Sequence, residues 1–130
     1  MLALDTNVLV RYLVQDDAVQ SAKAAQAIEA LTPNHPGFIS CIVLCEVNWV
    51  LKTAYKLGKK ERIEILQRIL SVSVFEIERL ACCAKALRRY GQELADFSDY
   101  LIHEIAKEAG YPTVLTFDAN AQKNEGFRQP

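Results

Sequence analysis

The chain has 130 residues, 51% of them hydrophobic and 24% charged, which fits a single compact domain over residues 1–130 with a full hydrophobic core and excludes a disordered chain. Its 15 basic and 16 acidic residues leave a net charge of -1, so no basic excess advertises a polyanion partner. Acids gathered around bound cations would not be felt by such a partner, however, and with four of them set aside the remainder is positive.

Leu2 to Leu4 read as a short buried strand ending at Asp5, and "NVLVRYLV" from Asn7 places Val8, Leu9, Tyr12 and Leu13 at helical spacing. Asp16 or Asp17 then caps a second helix, "AVQSAKAAQAIEAL", ended by Thr32-Pro33. "GFIS" is a second strand, and Ser40 caps a third helix, "CIVLCEVNWVLKTAYKL", apolar nearly all round at its start and stopped by Gly58. "KKERIEILQRIL" is an amphipathic fourth helix, "VSVFEIE" a third strand, and "RLACCAKALRRY" a helix stopped by Gly91. "DFSDYLIHEIAKEAG" places Ile102, Ile105, Ala106 and Ala109 on one face and ends at Gly110, and "TVLTF" is a fourth strand that stops at Asp118. Short strands alternating with helices predict the α/β class, with a mainly parallel sheet covered by helices on both faces.

The four cysteines form neither a disulfide framework nor a zinc site, because Cys41/Cys45 and Cys82/Cys83 lie far in sequence from His35 and His103. They read as small core residues in a reducing compartment. An acid by position 5, no basic n-region and no apolar stretch of membrane-spanning length lead us to expect a soluble cytoplasmic protein.

Most acids, including Glu61, Glu64, Glu76, Glu78, Glu104 and Glu108, sit among Lys and Arg and read as solvated surface. Asp5 and Asp118 differ, since each directly follows an apolar strand, and the carboxyl ends of parallel strands line the rim where α/β folds place ligands. Each is equally readable alone as the N-cap of the next helix. Glu46 stands among Val43, Leu44, Val47, Trp49 and Val50, where an ionised carboxylate is costly unless bound to metal or paired, for example with Arg11 or Lys52. At 100° per residue, Asp96, Asp99 and His103 fall within about 60° on one helix face. Asp96 also suits an N-cap and Asp99 the first turn, and His103 reads as a surface or hydrogen-bonded residue rather than a ligand.

Converging carboxylates raise one another's pKa unless a cation balances them. Oxygen donors without Cys or convergent His specify Mg²⁺ or Mn²⁺, and the chemistry of such a site is phosphoryl transfer by an activated water. No Gly-rich phosphate loop or Ser/His/Asp set competes with that reading. A haloacid-dehalogenase-like phosphatase needs an Asp where Asn7 stands, and the acid and Lys pattern of a response-regulator receiver is missing.

Asp5-Thr6-Asn7 after a first strand, Glu46 in an apolar helix, "ADFSDYLI" at 95–102 and "LTFD" at 115–118 together resemble the PIN-domain family, most closely VapC-type toxins of toxin-antitoxin pairs. The likeness runs from Met1 to about Phe127. It implies a three-layer α/β sandwich with a parallel sheet of four to five strands, and a Mg²⁺- or Mn²⁺-dependent ribonuclease. Asp5, Glu46, Asp99 and Asp118 match the family's acidic quartet, Asp96 is a secondary metal candidate, and Asn7 and Thr116 match small polar positions that orient the acids. Asn120, where many relatives carry a charge, and His103, where a small residue is usual, depart from the pattern at positions that bear on substrate contacts.

The resemblance also implies an RNA substrate, a homodimer and an antitoxin that masks the site. Apolar residues around Trp49, Tyr55, Ile63 and Leu66 offer an interface or core, and Lys52, Lys56, Lys59, Lys60, Arg62, Lys85, Arg88 and Arg89 offer phosphate contacts or solvated helix faces. Two other functions fit the acids: a PIN-like module that binds RNA or protein without turnover, and a metal-dependent phosphatase of small phosphomonoesters.

Overall fold

In the computed structural model, which describes every residue from Met1 to Pro130, the chain divides into two compact units, Met1–Glu78 and Arg79–Pro130. The first contains β1 (Leu2–Ala3), α1 (Thr6–Val14), α2 (Ala18–Glu29), β2 (Gly37–Ile39), α3 (Cys41–Thr53), α4 (Lys59–Ser71) and β3 (Phe75–Ile77). Its strands form a parallel sheet in the order β1-β2-β3, with Leu2 opposite Gly37 and Gly37 opposite Phe75. Leu4 extends the pairing beyond β1, its N–H donating to the Phe38 carbonyl at 2.8 Å. Leu4, Ile39, Phe75 and Ile77 are buried with Leu9, Val10, Leu44, Val47, Leu51, Leu66 and Ile69.

The second unit contains α5 (Leu80–Gln92), α6 (Phe97–Glu108), β4 (Val114–Leu115), α7 (Ala119–Gln122) and β5 (Phe127–Arg128). β4 and β5 pair in parallel, Val114 opposite Phe127. The core of this unit is aromatic as well as aliphatic. Tyr90 packs on Phe97 with ring centroids 6.1 Å apart, and Tyr100 meets Phe127 edge to face at 6.3 Å. The α/β class and the parallel pairing agree with the sequence reading.

Local chemistry accounts for most boundaries. The Asp17 carboxylate accepts the Gln20 N–H at 2.9 Å and the Ser40 hydroxyl accepts the Val43 N–H at 3.2 Å, so both caps act as expected. Gly58 does not stop α3. The helix ends at Thr53, the left-handed residue beyond it is Lys56 (φ 57), and Leu57 N–H closes back on the Leu51 carbonyl at 3.0 Å. Gly58 instead begins α4. Gly91 lies inside α5, which runs on to Gln92, while Gly110 (φ 95) follows α6 as expected.

The faces of two helices also differ from expectation. On α6, Ile102 is 54% exposed, whereas Tyr100, Leu101, His103 and Glu104 are buried. On α3, Leu44, Val47 and Leu51 are buried, but Ile42 and Trp49 are 71% and 64% exposed. No helix is long and apolar enough to cross a membrane.

Candidate active site

In the first unit, Asp5 leaves β1 in an extended conformation and caps α1, its Oδ1 accepting the Thr6 N–H at 2.6 Å. Thr6, buried to 6% exposure, turns its hydroxyl to Glu46 on α3 and donates to Oε1 at 3.2 Å. The segment after β1 is thereby tied to Glu46 through a neutral hydroxyl. Arg11 is engaged elsewhere, donating to Asp16 at 2.8 Å, to Tyr55 at 3.0 Å and to Gln20 at 2.7 Å. Glu46 itself is exposed, so its apolar sequence neighbours do not bury it as expected. α3 turns it outward on the same stripe as Ile42 and Trp49. Asn7 is also exposed. The role of Thr6 was not legible from spacing, because a threonine at the first turn of a helix reads as local structure.

In the second unit, Asp96 caps α6 and Asp99 completes a capping box. Asp96 Oδ1 accepts the Phe97 N–H at 2.8 Å, and Asp99 Oδ2 accepts the Asp96 N–H at 3.1 Å. Asp118 caps α7, its Oδ1 accepting the Ala121 N–H at 2.9 Å, while its own N–H donates to the Thr116 hydroxyl at 3.0 Å. Thr116 therefore fixes the backbone that presents Asp118. The Asp99 carboxyl is half-buried and its pKa is raised, first by burial and then by the negative charges of Asp118 and Asp96, against the stabilising Asp96 N–H. Asp99 thus feels the charge of Asp118.

The capping reading and the site reading are compatible. Asp5, Asp99 and Asp118 each accept a backbone N–H through one oxygen, and capping leaves the second oxygen able to face a ligand. None of Asp5, Glu46, Asp96, Asp99 and Asp118 forms an ion pair with Lys or Arg. No three His, Cys, Asp or Glu side chains stand together as a metal-holding group. The donor set is nonetheless all oxygen and lacks a neutralising base, which fits a hard divalent cation.

Other acids are neutralised. Glu104, expected at the surface, is 4% exposed and accepts from Arg89 and Lys107, each at 2.9 Å. Burial alone would raise its pKa, but the hydrogen bonds from Lys107 and Arg89 outweigh it and bring the value below the ordinary one. Glu108 pairs with Arg79 and accepts from the Cys82 thiol, whose pKa burial and Glu108 together push up to about 11. Glu78 accepts the Cys41 N–H at 2.9 Å and so helps cap α3. Cys41, Cys82 and Cys83 are buried, as core cysteines should be, while Cys45 is only half-buried.

His103 is 3% exposed, with Nδ1 2.7 Å from Arg89 Nη1 and Nε2 2.8 Å from the Pro112 carbonyl. Since the guanidinium can only donate, Nδ1 accepts and Nε2 carries the hydrogen. Two of the expected phosphate contacts are consumed in the same way. Arg62 is buried on Asn48 and the Leu57 carbonyl, and Arg89 is held by His103, Glu104 and the Glu125 carbonyl.

Comparison with known proteins follows the same lines. The PIN domain family model matches residues 2–126. A protein of Aquifex aeolicus (strain VF5) named VapC ribonuclease is 26% identical over 125 residues, an alignment covering 95% of this chain and 91% of that protein.

Proposed function

The chain belongs to the PIN-domain family, and from that premise we propose that it is a metal-dependent endoribonuclease that hydrolyses RNA phosphodiester bonds as the toxin of a toxin-antitoxin pair. The observation that carries this reading is that the carboxylates of Asp5, Glu46, Asp99 and Asp118, and of Asp96 in the same capping box as Asp99, are none of them neutralised by a basic side chain. The match to a VapC ribonuclease supports RNA as substrate. Because the family match crosses from one unit into the other, we treat residues 1–130 as one PIN-like domain.

In this reading the second oxygens of Asp5, Asp99 and Asp118, together with Glu46, hold Mg²⁺ or Mn²⁺. A bound ion of this kind lowers the pKa of water and balances charge on the phosphate. Asp96 restrains Asp99 through the capping box, Thr116 restrains Asp118, and Asn7 stands beside the first acid to orient it. The raised pKa of Asp99 is the expected state of a carboxylate that lacks its counter-charge.

The antitoxin is proposed to cover the site, and the exposure of Ile42 and Trp49 beside Glu46 supports this. A protein that buries these apolar side chains also covers the acid. Cytoplasmic location and a homodimer complete the proposal. Light scattering gives the oligomeric state directly.

The deciding experiment incubates the purified chain with single-stranded RNA in Mg²⁺ or Mn²⁺. Cleavage that EDTA abolishes and Asp5→Asn abolishes is expected. Full activity of Asp5→Asn overturns the site. RNA bound but uncut identifies a non-catalytic module, and hydrolysis of nucleoside monophosphates alone a phosphatase.

A further inference from the structure

A groove of about 290 Å³ lies between α1 and α2 in the first unit, beginning at Asn7, two residues beyond Asp5. That volume is at the lower end of what small organic ligands occupy. Its wall is built from small apolar groups, Val8 from α1 and Ala24 and Ala27 from α2. Alanines one helical turn apart leave a shallow, flat surface rather than a socket for a branched side chain.

The rim is polar. Arg11 Nε donates to Gln20 Oε1 at 2.7 Å, which fixes the amide's orientation and leaves both Nε2 hydrogens uncommitted. Lys23 lines the same groove and forms no ion pair. The nearby acids are committed, Asp16 to Arg11 and Tyr55, and Asp17 to the Gln20 N–H. The groove therefore offers a flat apolar wall, a fixed pair of amide donors and an unspent cation.

We infer that this groove is a slot for one unstacked nucleobase of single-stranded RNA, next to the cleavage site proposed above, on which the inference rests. Single-stranded RNA is recognised by splaying out a base, covering its face, bonding its edge and pairing its phosphate with a cation. The face is commonly covered by an aromatic ring or a guanidinium, and here it is covered by the alkyl wall beside the Arg11 guanidinium. The base face meets Ala24 and Ala27, a carbonyl or ring nitrogen on its edge accepts from Gln20 Nε2, and Lys23 meets the adjoining phosphate. An apolar peptide side chain would use the wall and waste the amide and the ammonium. A base in a duplex has its faces and edge already occupied and cannot enter.

The test is fluorescence anisotropy of a labelled single-stranded oligoribonucleotide, and of the same strand in a duplex, titrated with full-length Asp5→Asn protein in Mg²⁺. Asn keeps the cap of α1. In that background, Ala27→Leu fills the groove and Gln20→Ala removes the donors. Both positions are exposed, so folding is not at risk. Each is expected to weaken single-strand binding about tenfold, roughly one lost base contact, and to leave weak duplex binding unchanged. Lys23→Ala should weaken both forms about equally and reduce the salt dependence. Single-strand affinity within about twofold of the parent in both Ala27→Leu and Gln20→Ala overturns the slot and gives the groove to a protein segment. Equal binding of strand and duplex by the parent also overturns it. Failure of the nuclease reading shows separately, as no cleavage of bound RNA by the unmutated chain in Mn²⁺.

Discussion

Helix α6 begins and continues with the same kind of residue, yet its two halves treat their acids in opposite ways. At its start, Asp96 and Asp99 are bound only to backbone N–H groups, and Asp99 is held in a raised-pKa state by burial and by Asp118. One turn and a half further on, Glu104 is more deeply buried but carries Arg89 and Lys107 as counter-charges, with His103 on the same guanidinium. Burial alone does not mark a functional carboxylate; burial without a counter-charge does. Glu104 has its counter-charges in the protein, and Asp99 has no basic partner.

Asp99→Asn should separate the two halves of α6 most strongly. Activity should fall more than about a hundredfold, beyond the 10–100-fold typical of residues that only orient a metal ligand. Because the folded pKa of Asp99 is raised, its ionised form opposes folding at neutral pH. The melting temperature should therefore hold or rise in metal-free buffer. Loss of activity through unfolding would remove Asp99 from the site.

Gly126→Ala attacks the neutralised cluster by shape. Gly126 has φ 91, and a Cβ there would stand 2.0 Å from His103 Cε1 and 2.2 Å from Nε2. His103 cannot retreat, being tied to Arg89 and Pro112 and packed against Phe127 at 5.1 Å. Overpacking and the left-handed backbone together should cost about 3–4 kcal/mol, read by urea denaturation.

Glu104→Gln attacks the same cluster by charge, and about 3 kcal/mol should be lost because Arg89 is left without its buried partner. The contribution of Lys107, 46% exposed, is screened and adds little. The same pair sets an acid dependence. The folded pKa of Glu104 lies below its unfolded value, so the stabilisation is fully present above the unfolded value, ~4.3, and disappears as pH falls through the folded value. Urea midpoints of the parent should therefore drop steeply below about pH 4, and those of Glu104→Gln less so. Parallel curves would show that Glu104 is not the group responsible.

Much of this was legible in the sequence. Strand-then-acid patterns at Asp5 and Asp118 and the Asp96/Asp99 spacing led to the helix caps observed there. What failed depended on partners distant in sequence. Glu104 among Lys and Arg read as surface because the half-buried Arg89 that receives it sits on another helix. Glu46 among apolar residues read as buried because neighbours along a helix point in different directions, and it is Leu44 and Val47, not position 46, that face the core. Gly58 and Gly91 read as stops, but Lys56 takes the left-handed turn and α5 continues through Gly91.

Thr6 shows the same contrast on a smaller scale, because it holds Glu46 with a neutral hydroxyl rather than a charge. Replacement by Val is nearly isosteric at a position only 6% exposed, so the loss of one hydrogen bond should cost about 1 kcal/mol of stability or less. Glu46 then becomes free to rotate on the exposed face of α3, and activity should fall about tenfold. Thr6→Ser keeps the hydroxyl and should restore most of it. A purely structural threonine predicts the reverse pattern, with Val close to the parent and Ser, which loses a buried methyl, the weaker variant. The two substitutions therefore separate a residue that steadies an acid from one that fills the first turn of α1.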